Sequence, residues 1–310
     1  MENSNHSPRG REGLKTLARW VGIIATLLCI AYVVWMLVQS KEDLVDVARS
    51  PTVLLGLLTA SALWIVLNLM LGLGWACLIR LLGGCISFQE SVSISFRSQF
   101  AKYLPGNVFH LAGRVLHGRD AGLPTSMCVV ATSIESAMLL VLAGLIGFPL
   151  LLSLSQALSI ELALFVLAVG LVALLLGLKL DRLREPVKEM LANILSAKRF
   201  AFAAVCLYAM VFLIQLISFI VLSEAVSFDA GWTFFKNLQI VSITWLAGFV
   251  VVGSPGGLGV REAAFSVFAE NPDIRSTLLL VASSMRISSM LGDIASLGLG
   301  TLMHRKSVKK

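Results

Sequence analysis

Residues 53–79 read VLLGLLTASALWIVLNLMLGLGWACLI, a run with no charged side chain. The hydrocarbon core of a bilayer takes ~20 apolar residues of helix to cross, so this stretch predicts a transmembrane helix. Similar uncharged runs cover residues 20–38, 200–223 and 237–260, with a shorter one at 162–178. Two more apolar stretches carry ionisable residues: 125–152 contains Glu135, and 276–303 contains Arg286 and Asp293. The chain is 57% hydrophobic and 14% charged, against roughly 45–50% and about 25% in soluble domains. A water-soluble fold is therefore excluded, and the expected class is an all-α, polytopic transmembrane helix bundle.

The basic residues are placed for topology rather than for nucleic acid. Of 25 Lys and Arg in the 310 residues, four lie in 1–19, five in 80–124, six in 179–199 and four in 304–310. Segments rich in Lys and Arg beside spans stay in the cytoplasm. The segments 153–160 and 224–232 have no Lys or Arg and fit the opposite side. Residues 1–19 followed by the run at 20–38 superficially match a secretory leader. The sequence after Val38 is Gln39-Ser40-Lys41, without a small-residue cleavage site, and reads as an uncleaved anchor. The cysteines, Cys29, Cys77, Cys85, Cys128 and Cys206, lack ligand spacing, so neither a metal site nor a disulfide framework is expected.

Seven full spans from a cytoplasmic N-terminus would leave the basic tail Arg305, Lys306, Lys309 and Lys310 outside, against the charge rule. The conflict disappears if one interrupted segment enters the membrane and returns on the same side, and the candidates are the stretches around the two Pro-Gly turns. Six full spans plus two re-entrant or broken-helix hairpins are therefore expected, at residues 88–118 and 233–270. The leading arm of the first places Phe88, Val92, Phe96, Phe100 and Tyr103 at helical spacing, with Gln89, Glu90, Ser93, Arg97 and Lys102 elsewhere, an amphipathic pattern. Each hairpin contains a Pro-Gly turn, Pro105-Gly106 and Pro255-Gly256, 150 residues apart. That repeat of span, span, hairpin, span in opposite orientations fits an inverted repeat with halves 20–152 and 160–303. The organisation is then a cytoplasmic basic N-terminus at 1–19, one transmembrane domain at 20–303 and a cytoplasmic basic tail at 304–310.

Irregular backbone at membrane depth is tolerated only where it is packed in protein or lines a wet cavity, so the turns mark candidate sites. The second turn runs Gly253-Ser254-Pro255-Gly256-Gly257-Leu258-Gly259-Val260-Arg261-Glu262. Its glycines, Gly256 and Gly257 among them, allow a ligand close to main-chain N–H groups. A helix starting near Arg261 favours an anion, and the guanidinium adds a bidentate contact. After the first turn, Asn107, His110, Arg114 and His117 share one helix face, a stripe suited to a phosphate headgroup. The plainer alternatives are a simple helix break with an Arg261–Glu262 pair, and a basic loop that only anchors topology. His110 and His117, with no third ligand nearby, do not make a zinc site.

Ionisable residues inside spans cost ~2.5–3.5 kcal/mol each on the insertion scale and usually face a cavity or a partner. Glu135, Arg286 and Asp293 are the candidates for a polar path, with Arg286 expected to pair with Asp293 or Glu135; a structural ion pair is the alternative. Asn68 and Gln215 read as interhelical hydrogen-bond glue. No nucleophile elbow, P-loop or Rossmann glycine pattern occurs.

The segments KYLPGNVFHLAGR (102–114) with GLP (122–124), and GSPGGLGVREAAF (253–265), resemble the two signature regions of the lysylphosphatidylglycerol synthase transmembrane-region family, the flippase-like membrane proteins. The resemblance extends over nearly the whole chain, without the soluble aminoacyl-transferase half, so synthase activity is not carried over. It implies a role in moving phospholipids or polyprenyl-linked glycolipids. The expectation is a translocator in a bacterial cytoplasmic membrane, not an enzyme, whose partner is a membrane lipid or lipid-linked glycan and not nucleic acid, with no cofactor. Its substrate site would comprise Arg114, His110, Asn107, Arg261, Glu262, Gly256 and Gly257. The rivals are a membrane partner of a lipid- or glycan-modifying enzyme and an intramembrane headgroup enzyme.

Overall fold

A computed structural model describes residues 50–104, 108–154, 197–251, 255–269 and 272–308. The described residues form eight α-helices and no strand. Four are long and apolar enough to span a membrane: α1, Pro51–Leu81; α4, Thr125–Leu154; α5, Lys198–Ala225; and α8, Pro272–Val308. They answer to four of the six expected full spans. The other two, at 20–38 and 162–178, lie outside the described residues, as do the turn Pro105-Gly106-Asn107, Ser254 and the last two tail residues.

Both expected hairpins are helix pairs too short to cross. The first comprises α2, Phe88–Gln99, a 3₁₀ turn at Phe100–Tyr103, and α3, Phe109–Asp120. At 1.5 Å per residue, twelve residues of helix rise only ~18 Å, well short of the ~30 Å core. The second comprises α6, Phe234–Val250, a 3₁₀ turn at Pro255–Gly257, and α7, Val260–Ser266. Local chemistry sets the starts of their leading arms. Ser87 caps α2 by accepting from Glu90 N at 3.1 Å, and Thr233 caps α6 by accepting from Lys236 N at 3.3 Å.

Small residues hold the long helices together, as expected where lipid competes equally for apolar surface. Gly74 lies under the Tyr208 ring, where an added Cβ would come within 2.7 Å, so α1 and α5 approach closely. Gly292 brings α8 onto α1 in the same way, against Trp64 and the Ser61 carbonyl.

Helix α2 packs between α1 and α8, and here the structure differs from the amphipathic expectation. Its serines are buried: Ser91 donates to Gly72 O at 2.7 Å, Ser93 to Gly300 O at 2.8 Å and Ser95 to Asn68 O at 3.4 Å. Val92 and Phe96 of the expected apolar face are buried with them, whereas Phe88 and Phe100 are exposed. Beside lipid, an exposed aromatic ring is not penalised, whereas a serine packs closely and hydrogen-bonds between helices.

The two hairpin tips meet. The Tyr103 ring lies 3.2 Å from where a Cβ on Gly256 would sit. Gly256 has φ 56°, the left-handed region, so both backbone and space require glycine there. Around the tips stand residues from the middle third of each long helix: Trp64 and Asn68 of α1, Glu135 of α4, Gln215 of α5, and Arg286, Ser289 and Asp293 of α8. The tips thus reach half the height of the spans, which makes the hairpins re-entrant.

Replacing Gly292 with Leu would drive a branched side chain into Trp64 and the Ser61 carbonyl. The expected cost is ~1–3 kcal/mol from overpacking, read as a lowered unfolding midpoint of the purified protein in detergent. Leu substitution at Gly298, where an added Cβ meets nothing within 4 Å, is expected to leave the midpoint unchanged.

Candidate functional site

Charged side chains at the centre of the bundle are held in three ion pairs, each joining a hairpin to a span. Arg114, on the returning arm of the first hairpin, pairs with Glu135 of α4 and donates to Ser95 Oγ at 2.9 Å. Tyr208 of α5 donates to the same Glu135 carboxylate at 3.4 Å. Lys102, at the first tip, meets Asp293 Oδ2 of α8 at 2.6 Å. Tyr103 donates to that oxygen at 2.7 Å, and Asn68 donates to Oδ1 at 2.9 Å and to Ser296 Oγ at 3.1 Å. Arg286 of α8 turns to the second hairpin, where Nε lies 3.3 Å from Glu262 Oε1 and Nη1 donates to the Gly256 carbonyl at 2.6 Å.

Arg286 is thereby found with Glu262, and not with Asp293 or Glu135. It lies seven residues before Asp293 on α8, two turns and ~10 Å along the axis. Glu135 and Asp293 take their bases from the first hairpin, whereas Glu262 of the second hairpin takes its base from α8.

Arg261 stands apart. It is folded against Gly248, where an added Cβ would be 2.5 Å from its Cγ. Among the described residues it forms no ion pair, and its Nε has no hydrogen-bond partner. It lines a cavity of about 70 Å³ with His110, Lys102, Gln215, Glu135 and Gly256. Further atoms around this centre are buried without a partner: His110 Nδ1, Gln215 Nε2, Asn68 Oδ1 and Arg286 Nη2. Trp64, Trp245 and Phe249 supply much of its apolar wall.

The residues anticipated for the site separate into two groups. His110, Arg261 and Gly256 line the cavity, while Arg114, Glu262, Arg286 and Asp293 are bound up in the surrounding pairs, and Glu135 does both. Gly257 packs on Gly248, where its own Cβ would lie 2.9 Å from backbone. Asn107 lies outside the described residues. Helix α7 has only seven residues, so little macrodipole builds up at Arg261. The side chain itself carries the positive charge at this end of the cavity.

Lys102, Tyr103 and Ser95 were not anticipated as site residues; the sequence signal for Lys102 and Tyr103 is adjacency to the turn, while Ser95, in the middle of α2, carries none. Gln215 was expected as interhelical glue, yet its amide nitrogen is unpartnered and faces the cavity. Asn68 does bridge helices, binding two side chains of α8. No group of three His, Cys, Asp or Glu suited to a metal occurs among the described residues.

Four spanning helices, two re-entrant hairpins and a buried polar centre define a multi-pass α-helical membrane protein built around an intramembrane site. The sequence profile of the family described as Lysylphosphatidylglycerol synthase TM region matches residues 20–286, and the chain belongs to that family. No curated protein and no solved structure matches it.

Removing one partner of a buried ion pair costs ~3–5 kcal/mol, because the other charge is left unpaired. Glu135→Ala is therefore expected to destabilise the protein by about that amount in detergent unfolding, through the stranded Arg114. The double variant Glu135→Leu with Arg114→Met, which removes both charges, is expected to recover most of the loss.

Proposed function

We propose that this protein translocates a phosphate-bearing lipid across the bacterial cytoplasmic membrane, with the headgroup held by Arg261 where the two re-entrant tips meet. The observation that carries this reading is the charge balance at the centre. Lys102, Arg114, Arg261 and Arg286 face three carboxylates, Glu135, Glu262 and Asp293. Each carboxylate is engaged by another base, which leaves Arg261 over. A buried guanidinium with no ion pair of its own is costly to desolvate, and a phosphate oxyanion pairs with it in bidentate geometry. His110 and the Gln215 amide, both with unpartnered nitrogens, supply further donors on the cavity wall.

Lipid acyl chains would remain in the bilayer while the headgroup passes between the tips and α8. Glu135, Arg286 and Asp293 then act as the polar path, exchanging partners with the headgroup as it moves. The membership in a lipid-related membrane family supports a lipid substrate, and the basic segments flanking the spans support cytoplasmic termini.

Arg261→Ala should slow phospholipid headgroup movement in reconstituted vesicles at least about tenfold, the equivalent of ~1.4 kcal/mol in barrier, with unchanged helical content. Arg119→Ala, at an exposed surface residue, should leave the rate as it was. Unchanged transport in the Arg261 variant would refute the assignment. Mass spectrometry of the vesicle lipids separates translocation from headgroup chemistry, since a translocator leaves the lipid mass unaltered.

The orientation has its own check. With exposed Cys85 and Cys206 replaced, Ser227→Cys in whole cells should react with a membrane-impermeant maleimide from outside. Labelling only after the cytoplasmic face is opened would reverse the topology.

A further inference from the structure

A second cavity, of about 450 Å³, opens where α5 ends and α6 begins, away from the hairpin tips. Its volume falls within the ~300–1,000 Å³ of small-ligand sites. Phe228 and Trp232 pack edge to face on its wall at 5.8 Å between ring centroids, and Phe219 backs Phe228 at 6.4 Å. Ser223, only 7% exposed, lines the cavity with its Oγ unpartnered, and the indole Nε1 of Trp232 is likewise buried without a partner. The carboxylates of Glu224 and Asp229 and the amide of Asn237 complete the polar lining. Asp229 also accepts from Gly231 N at 2.7 Å, which closes the loop on itself. In the same loop Ser227 has φ 56°, the one positive value at a non-glycine among the described residues. That conformation is uncommon outside glycine and is held here by the surrounding contacts.

The donor and acceptor inventory selects among ligand classes. Two carboxylates accept, an indole N–H donates only, and a serine hydroxyl and an amide do both. Phosphate is disfavoured, because two carboxylates repel it and Lys236, a cation beside the cavity, sits over the Trp232 ring at 5.3 Å. An organic ammonium would satisfy the carboxylates but leave the indole N–H unanswered, at the cost of a buried donor without a partner. A neutral pyranose meets every requirement. Its hydroxyls accept from the indole and donate to the carboxylates, while its C–H face lies against aromatic surface, whose π-face carries partial negative charge.

We infer that this cavity binds an uncharged sugar ring, either as a free saccharide or as the headgroup of a glycolipid. It is built from residues separate from those of the central anion site, so the two assignments stand or fall independently. The ring lies against the wall formed by the Phe228–Trp232 pair and is read by Ser223, Asn237 and the two carboxylates.

Saturation-transfer NMR on the protein in lipid nanodiscs tests this in two arms. One arm adds the methyl α- and β-glycosides of glucose, galactose, mannose and N-acetylglucosamine. The other incorporates monoglucosyl-diacylglycerol in the disc. Transfer to sugar ring protons in either arm is expected, and the arm that responds identifies the source. Trp232→Phe keeps a ring and removes the N–H, and Ser223→Ala removes only the hydroxyl; each is expected to weaken binding at least about fivefold with helical content unchanged. The inference is overturned by absence of transfer in both arms, by equal transfer in both variants and the parent protein, or by tetramethylammonium binding in place of the sugars.

Discussion

A charge in the middle of a bilayer must find a partner of opposite sign, because neither lipid nor water is there to solvate it. Glu135 and Asp293 sit in the middle third of helices that otherwise belong in lipid. Each needs a base at its own height, and no neighbouring full span among the described residues offers one. The bases come instead from segments that enter only halfway: Arg114 and Lys102 from the first hairpin. On the second hairpin the polarity is reversed, with the acid Glu262 answering the span residue Arg286. The re-entrant hairpins are thus pinned at the depth where the charges are.

That pinning explains why the tips meet. Asp293 receives Lys102 and Tyr103 together, which fixes the first turn against α8. Two turns lower on the same helix Arg286 grips both Glu262 and the Gly256 carbonyl, fixing the second turn beside it. Helix α8 therefore acts as a common rail for both hairpins. The serines of α2 and the glycines of α1 and α8 let the short helices come near enough for these bonds to form. The arrangement leaves one guanidinium over, and a bistable exchange of partners around it is the physical content of the transport reading.

Much of the fold was legible in the residues. Apolar runs, two uncharged and two carrying ionisable residues, located the four long helices, and the misplaced charge of a seven-span count required that at least one segment return to its own side. The Pro-Gly turns marked where the hairpins would bend, and Glu135, Arg286, Asp293, Arg261 and His110 were all named as candidates. The partners were not legible. Arg286 was expected beside Asp293 or Glu135, yet two turns of helix separate it from Asp293 and each of the three is met by a hairpin residue. Ser93 of α2 was read on the polar side of an amphipathic helix, yet it is buried and hydrogen-bonded to α8.

The sequence by itself determined that the chain crosses a membrane many times, that two segments turn within it, and that Glu135, Arg286 and Asp293 are buried in spans. Length, hydropathy and charge act residue by residue along the chain, so they can be read without neighbours. Only the tertiary structure decided that the two tips touch, that three acids are matched to three bases across separate elements, and that Arg261 is the base without an acid. Pairing at ~3 Å depends on helix height and rotation, which contacts far apart in the chain set together.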